Sequence, residues 1–141
     1  MSSYLTNNFC YQAIKALATD TCKVILMASG FSFDRATNKV YSDVSASELP
    51  TANGYTAGGA TLSGGTASQD DTNNRGKVIW TNPAWTVSTA NLVTCGAFPL
   101  DTASTYGAAN TLVGYIDFGG NQTTLPGGTF TIANIQVEVD G

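Results

Sequence analysis

Hydrophobic positions recur at helical spacing only near the start of the chain. Five hydrophobic residues there are three or four positions apart, namely Phe9, Cys10, Ala13, Ile14 and Leu17. They form one apolar stripe, which predicts an amphipathic helix over residues 8–18. Thr6, Asn7 and Asn8 are candidate N-caps, because their side-chain oxygens can accept the free amides of a first helical turn.

The rest of the chain predicts short strands separated by turns. Lys23–Ser29 is an almost continuous hydrophobic run, which is typical of a strand covered on both faces. We expect one of these faces to meet the helix and the other to meet the main core. Six further segments have strand-like patterns, and they are 55–65, 77–80, 85–88, 91–98, 111–118 and 129–140.

Glycine, proline and polar residues mark the predicted interruptions. Residues 30–50 predict a long loop, and the polar segment 66–76 predicts an exposed excursion between strands. The Gly58–Gly59 pair indicates a bulge or the close approach of another backbone. We expect Pro99 to end one strand and Gly119–Gly120 to end another.

The last segment changes its alternation at Ala133–Asn134. Phe130 and Ile132 share one parity, whereas Ile135 and the valines after it share the other. A β-bulge near Ala133–Asn134 is the simplest explanation. The alternative is two strand pieces that belong to different sheets.

One helix and about seven short strands favour a mainly β fold. We expect an antiparallel β-sandwich or distorted barrel, with the N-terminal amphipathic helix packed on it. The length of 141 residues is typical of one domain. We therefore expect a single domain over residues 1–141, with residues 1–8 as an N-terminal arm.

Charge and composition argue against several classes of protein. The chain has six basic and ten acidic residues, and no Lys or Arg follows Lys77, which argues against binding to nucleic acid. No apolar run has the length of a membrane span, so we expect no membrane partner. The first residues lack the features of a signal peptide, which predicts assembly in a cytoplasm.

The reactive side chains do not form a recognisable catalytic pattern. Histidine is absent, which removes the usual nucleophile systems and most zinc sites. Cys10, Cys22 and Cys95 have no paired spacing and are expected to be reduced and buried. The polar residues around Asp70–Asp71 predict a solvated turn rather than a calcium site. The alternation of the strand that contains Asp117 predicts an exposed or interface position for that carboxylate. We therefore expect a protein that is not an enzyme, with no cofactor, no metal and no small-molecule substrate.

Four aromatic residues allow two interpretations, and they are Trp80, Trp85, Tyr106 and Tyr115. Packing in the core or in an interface is the more common use of such side chains. The alternative is an aromatic face that binds sugars.

The order of motifs resembles small virion proteins of tailed bacteriophages, of the head decoration or cement type. The motifs are KVILMASGF (23–31), YSDVSASELP (41–50), GYTAGGATLSGGT (54–66), TLVGYIDFGGN (111–121) and GGTFTIANIQVEV (127–139). The resemblance covers about Phe9 to Val139. These motifs are patterns of strands and turns, so the resemblance transfers no active residues.

The resemblance implies a decoration or cement protein that binds the assembled head and stabilises contacts between major capsid protein subunits. It implies a location on the capsid exterior and a homotrimer or other homo-oligomer. The candidate partner-binding residues are Tyr4, Leu5, Phe31, Phe33, Tyr41, Asp70, Asp71 and Arg75. The alternative is a tail, baseplate or head-surface component that binds host glycans through Trp80, Trp85 or Tyr106.

Overall fold

The computed structural model describes residues 1–141 and confirms the predicted fold class. The fold is mainly β, with antiparallel sheets in a sandwich-like arrangement and one N-terminal helix. It has ten strands rather than about seven. The elements are α1 (Asn7–Ile14), β1 (Cys22–Met27), β2 (Ala60–Thr61), β3 (Thr66–Asp70), β4 (Arg75–Ile79), β5 (Ala84–Thr86), β6 (Leu92–Asp101), β7 (Thr111–Leu112), β8 (Ile116–Thr124), β9 (Thr129–Thr131) and β10 (Gln136–Asp140).

Helix α1 forms where the sequence predicts it and continues as a 3₁₀ turn over Lys15–Ala18. Thr6 is the N-cap, and its hydroxyl oxygen accepts the amide of Phe9 at 3.2 Å. The buried face is narrower than predicted, because Phe9 is exposed while Cys10, Ile14 and Leu17 are buried. None of the helices combines the length and the hydrophobicity needed to cross a bilayer.

The central element is β1, which pairs with β6 over six residues and with β2 on its other side. On its far edge β6 pairs with β7 and β8, which completes a five-stranded sheet. Four consecutive residues of β1 have no solvent exposure, namely Val24, Ile25, Leu26 and Met27. The prediction of a strand covered on both faces is therefore confirmed.

The main core lies on one face of this sheet, beneath Val24 and Leu26. Helix α1 covers the same face together with a three-stranded sheet in the order β10-β4-β3 and a two-stranded ribbon of β5 and β9. The helix and the main core thus share one side of β1. The expectation that they cover opposite faces is wrong.

A smaller cluster covers the other face of β1. Ile25 and Met27 pack there with Phe98, Leu100 and Val44. Val44 belongs to the segment 30–50, which is a loop with two short 3₁₀ turns, as predicted. A loop rather than another sheet therefore closes this side of the molecule.

The prediction of an exposed excursion over residues 66–76 holds only for the turn at 71–74, because the residues on either side of it form strands. Strands β3 and β4 form an antiparallel hairpin under α1. The pairing begins with Thr66 opposite Ile79 and ends with Asp70 opposite Arg75. The segment lacks large hydrophobic residues because the helix backbone lies close to it. In β4, Gly76 is buried directly against Cys10 and Tyr11.

Two predicted strand ends are also wrong. Strand β6 runs through Pro99 to Asp101, because the carbonyl of Pro99 accepts the amide of Val113 at 2.9 Å. The polar backbone atoms of residue 99 therefore point away from β1, and the missing amide removes no bond to that strand. Strand β8 likewise continues through Gly119 and Gly120 to Thr124.

The change of parity at Ala133–Asn134 separates two strands rather than forming a bulge. Strand β9 pairs with β5, and β10 pairs with β4 in another sheet. Asn134 has a φ of 58°, which turns the chain between the two sheets. Of the two explanations for the parity change, the crossing between sheets is the correct one. The close approach predicted at Gly58–Gly59 is also present, because Gly59 packs against the backbone of Val24.

We predict that Gly76→Ala destabilises the fold by about 1–3 kcal/mol. The added Cβ would overlap the backbone of Cys10 and Tyr11, and the helix could relieve the clash only by moving off the sheet. Unfolding in urea measures the effect. Gly114→Ala is the matched control, because a Cβ at Gly114 has no neighbour within 4 Å. Equal stability of the two variants would contradict the predicted close packing.

Candidate functional site

The predicted partner-binding residues lie on two opposite sides of the five-stranded sheet. Tyr4, Leu5, Asp70, Asp71 and Arg75 lie at the start of α1 and on the hairpin beneath it, on the side of the main core. The other three residues, Phe31, Phe33 and Tyr41, belong to the loop that covers the opposite face. The sequence did not indicate this separation.

The arm, residues 1–8, and the first turn of α1 carry half of the large exposed hydrophobic side chains of the protein. Four of the eight large exposed hydrophobic side chains of the protein lie in the first nine residues, namely Met1, Tyr4, Leu5 and Phe9. Tyr4 has 84% of its surface exposed and Phe9 has 57%. Exposed hydrophobic residues concentrated in one short segment are typical of a binding surface.

Hydrogen bonds attach the arm to the hairpin turn. The side-chain amide of Asn7 donates to Asp71 Oδ1 at 2.9 Å and to Asn74 Oδ1 at 3.4 Å. The amides of Asn7 and Gln69 lower the pKa of the Asp71 carboxyl by stabilising its charged form. The base of the arm is therefore fixed, whereas its hydrophobic tip extends into solvent.

Arg75 fixes the outer face of the hairpin. Its guanidinium forms ion pairs with Asp70 at 3.0 Å and with Glu138 at 2.7 Å. Hydrogen bonds from Asn73, and then from Arg75, hold the pKa of Asp70 at about 2. Asp70 thus lies within a paired strand end, while Asp71 forms the exposed turn predicted for both.

Phe31 and Phe33 join an aromatic cluster on the opposite face of the sheet. Phe33 stacks on Tyr115 with ring centroids 5.1 Å apart, and Phe31 lies 5.6 Å from the same ring. Phe98 is fully buried below them, 4.9 Å from Tyr115. Phe33 remains 36% exposed, so the cluster has one accessible ring.

Tyr41 is committed to a hydrogen bond inside the protein. Its hydroxyl donates to the carboxylate of Glu48, which also accepts the hydroxyl of Tyr55 at 2.5 Å and the amide of Gly58 at 2.7 Å. Tyr55 in turn accepts the amide of Leu26 at 3.0 Å. The hydrogen bond to Glu48, with burial, raises the pKa of Tyr41 to about 12. Glu48 therefore connects the covering loop to β1.

The four aromatic candidates for a sugar-binding face do not form one surface. Trp80 and Trp85 are core residues with 6% exposure each, which confirms packing as their role. Tyr106 is 40% exposed, and its hydroxyl donates to the carbonyl of Ala13 at 3.2 Å. Tyr115 lies apart from these three, in the aromatic cluster of Phe31 and Phe33.

A pair of carboxyl groups meets at the end of β6. Asp101 is fully buried, its Oδ1 accepts the amide of Ala103 at 2.9 Å, and its Oδ2 has no donor. Burial raises the pKa of Asp101, and the nearby Asp20 raises it further. Oδ2 becomes satisfied when Asp101 is protonated and donates to Asp20. Protonation of Asp101 is therefore more favourable in the folded protein than in the unfolded chain.

The cysteines and acidic residues carry little reactive chemistry in this arrangement. Burial, and then the charges of Asp101 and Asp20, raise the pKa of Cys22 to about 12, so its thiol stays protonated. All three cysteines are free, and Cys95 is half-buried rather than buried as expected. Asp117 is exposed, as predicted. Cys, Asp and Glu nowhere form a group of three that could hold a metal ion.

The sequence did not reveal Glu48 and Asp101 as important residues. Each is a single acidic residue next to hydrophobic ones, and nothing local distinguishes it from a surface carboxylate. Their partners Tyr55 and Asp20 lie 7 and 81 residues away and meet them only in the folded chain. Comparison of the chain with protein-family models, curated proteins and solved structures finds no match.

We predict that Asp101→Asn changes the pH dependence of stability. Because folding raises the pKa of Asp101, its contribution to stability is greatest below the unfolded pKa of about 3.9 and falls as the pH rises through the folded value. The Asn amide imitates the protonated carboxyl at every pH. The variant should therefore be more stable at pH 7, by on the order of 1 kcal/mol, since a buried unsatisfied atom is removed.

The free energy of unfolding between pH 3 and 7, measured in urea for variant and parent, tests this prediction. The difference between the two proteins is the relevant quantity, because carboxyls such as Asp70 and Asp71 have lowered pKa values and act in the opposite direction. Asp117→Asn is the control, as it removes one exposed carboxylate. A difference that stays constant across the pH range would contradict the raised pKa of Asp101.

Proposed function

We propose that this protein is a bacteriophage head decoration or cement protein that attaches to assembled capsids through its arm. In this proposal it binds major capsid protein subunits on the capsid exterior, as a homotrimer or other homo-oligomer, after synthesis in the host cytoplasm. It acts by binding rather than by catalysis. The motif order described above is the reason for naming this class of virion protein.

The observation that carries the proposal is the exposed hydrophobic arm. Met1, Tyr4 and Leu5 of the arm expose apolar surface beside the exposed Phe9 of α1, while Thr6 and Asn7 fix the base of the arm. Burying such side chains against a partner supplies hydrophobic free energy at about 25 cal/mol per Å². A fixed base also limits the conformational entropy that the arm loses on binding.

The mechanism follows from mass action. A protein that binds the assembled shell, but not its free subunits, stabilises the shell by an amount that increases with its concentration above Kd. Each copy contributes a small increment, and many copies add up. The sparse charge of the surface suits this role, because the centres of protein interfaces are depleted in charged residues.

We predict that the double substitution Tyr4→Ser and Leu5→Ser weakens binding to capsids that lack the protein by at least about tenfold, since aromatic anchors dominate interface energies. Co-sedimentation with such capsids over a range of concentrations measures the loss. The fold should be unaffected, because Thr6 and the helix cap remain. Leu125→Ser is the matched control, as Leu125 is 64% exposed, between Leu5 at 48% and Tyr4 at 84%, and lies in another part of the chain.

The number of copies per particle distinguishes this proposal from a tail or baseplate role. Quantitative mass spectrometry of purified particles should find hundreds of copies if the protein decorates the head. A few copies to a dozen would instead indicate the tail or the portal. Binding of the double variant at the affinity of the parent would also contradict the role given to the arm.

A further inference from the structure

A cleft lies on the side of the protein opposite the arm. The loop after β1 and the strand β8 form its walls, and the aromatic cluster forms its floor. It encloses about 730 Å³, which is within the range of about 300–1,000 Å³ found for ligand sites. Its main lining side chains are Ser32, Phe33, Arg35, Tyr115, Asp117 and Asn121.

The floor of the cleft is a rigid aromatic platform. Tyr115 is held between Phe31 and the buried Phe98, at centroid distances of 5.6 and 4.9 Å. Its phenol ring lies directly over Gly96, where any side chain would collide with it. Phe33 stacks on Tyr115 at an interplanar angle of 23°. The exposed part of Phe33 is therefore presented in a fixed orientation, which is favourable for stacking against a ligand.

The rim of the cleft carries hydrogen-bonding groups that the protein itself leaves partly unused. Arg35 is exposed and belongs to none of the ion pairs of the structure. Asp117 uses Oδ1 to accept the amide of Gly119 at 2.8 Å, and it forms no ion pair. Asn121 is exposed beside them and can both donate and accept.

The charge of the cleft indicates a neutral ligand. Arg35 and Asp117 are the only charged residues among those that line it, so the lining has no net charge. A phosphate site normally gathers several cations, and an ammonium site combines an aromatic cage with acidic groups. A pyranose ring matches the arrangement found here, because it has apolar C–H faces and a rim of hydroxyl groups that donate and accept.

We propose that this cleft binds a neutral pyranose unit of a glycan, with the sugar ring stacked on Phe33 and its hydroxyls hydrogen-bonded to Arg35, Asp117 and Asn121. The arginine donates to hydroxyl oxygens, the carboxylate accepts hydroxyl protons, and the amide does both. The site lies on the opposite side of the five-stranded sheet from the arm. A copy attached through its arm would therefore keep the cleft open to solvent.

Saturation-transfer NMR of the full chain with a panel of neutral methyl pyranosides tests the proposal. The panel includes glucose, galactose, mannose, rhamnose and N-acetylglucosamine derivatives. At least one should bind saturably, with a dissociation constant in the millimolar range. Phe33→Ala should weaken this binding at least tenfold, and Phe33→Tyr, which keeps the ring, should retain it.

Two further variants distinguish a loss of sugar binding at the cleft from misfolding and from sugar binding at another surface. Arg35→Gln leaves the aromatic platform intact and should weaken binding severalfold. Leu125→Ala removes an exposed hydrophobic side chain outside the cleft and should change nothing. Thermal melting of each variant shows whether the fold is preserved.

Three outcomes would overturn the proposal. One is the absence of saturable binding by every pyranoside of the panel. Another is binding that survives both Phe33→Ala and Arg35→Gln, which would place the sugar elsewhere. The third is loss of capsid binding in the Phe33→Ala variant without any sugar binding, which would make the cleft a protein contact. The first two outcomes leave the role of the arm untouched, because that role is tested by Tyr4 and Leu5, whereas the third would add the cleft to the capsid-binding surface.

Discussion

The burial of β1 on both faces is the constraint on which the rest of the structure depends. Alternate residues of this strand point into two separate hydrophobic clusters, with Val24 and Leu26 in one and Ile25 and Met27 in the other. A strand of this kind must be covered twice. The helix, the three-stranded sheet and the ribbon cover one side, and a loop covers the other. The molecule therefore has two unlike surfaces, and each of the two proposed binding sites belongs to one of them.

A loop is a weaker cover than a full strand, and here only short pieces of it, around Glu48 beside β1 and around Val40 beside Thr111, are held by backbone hydrogen bonds. The carboxylate of Glu48 compensates for this weakness. It accepts hydrogen bonds from Tyr41, Tyr55 and Gly58, and Tyr55 accepts one from the backbone of β1. Charge-assisted hydrogen bonds are stronger than neutral ones, and the group is nearly inaccessible to water. The geometry of the aromatic cleft thus depends on a carboxylate that takes no part in lining it.

The sequence predicted those elements whose hydrophobic pattern is decided locally, namely α1, β1 and the parity change at 133–134. It failed where a distant contact overrode the local pattern. Strand β4 has a glycine at its centre because the helix backbone packs directly on Gly76, and β6 passes Pro99 because the polar atoms of that residue face another segment. For the candidate sites, the sequence identified Tyr4, Leu5 and Phe33 as exposed groups of interest. It favoured packing as the role of Trp80 and Trp85, which are buried, but it could not place the arm and the aromatic cluster on opposite sides.

The hydrogen bond from the amide of Gly141 to the carbonyl of Asn74, at 2.9 Å, places residue 141 beside Leu5. A polypeptide appended after residue 141 would consequently emerge next to the hydrophobic arm and compete with it for space. An insertion in the exposed turn around Leu125, which lies between β8 and β9, would leave every strand uncut and would not add chain beside residue 141.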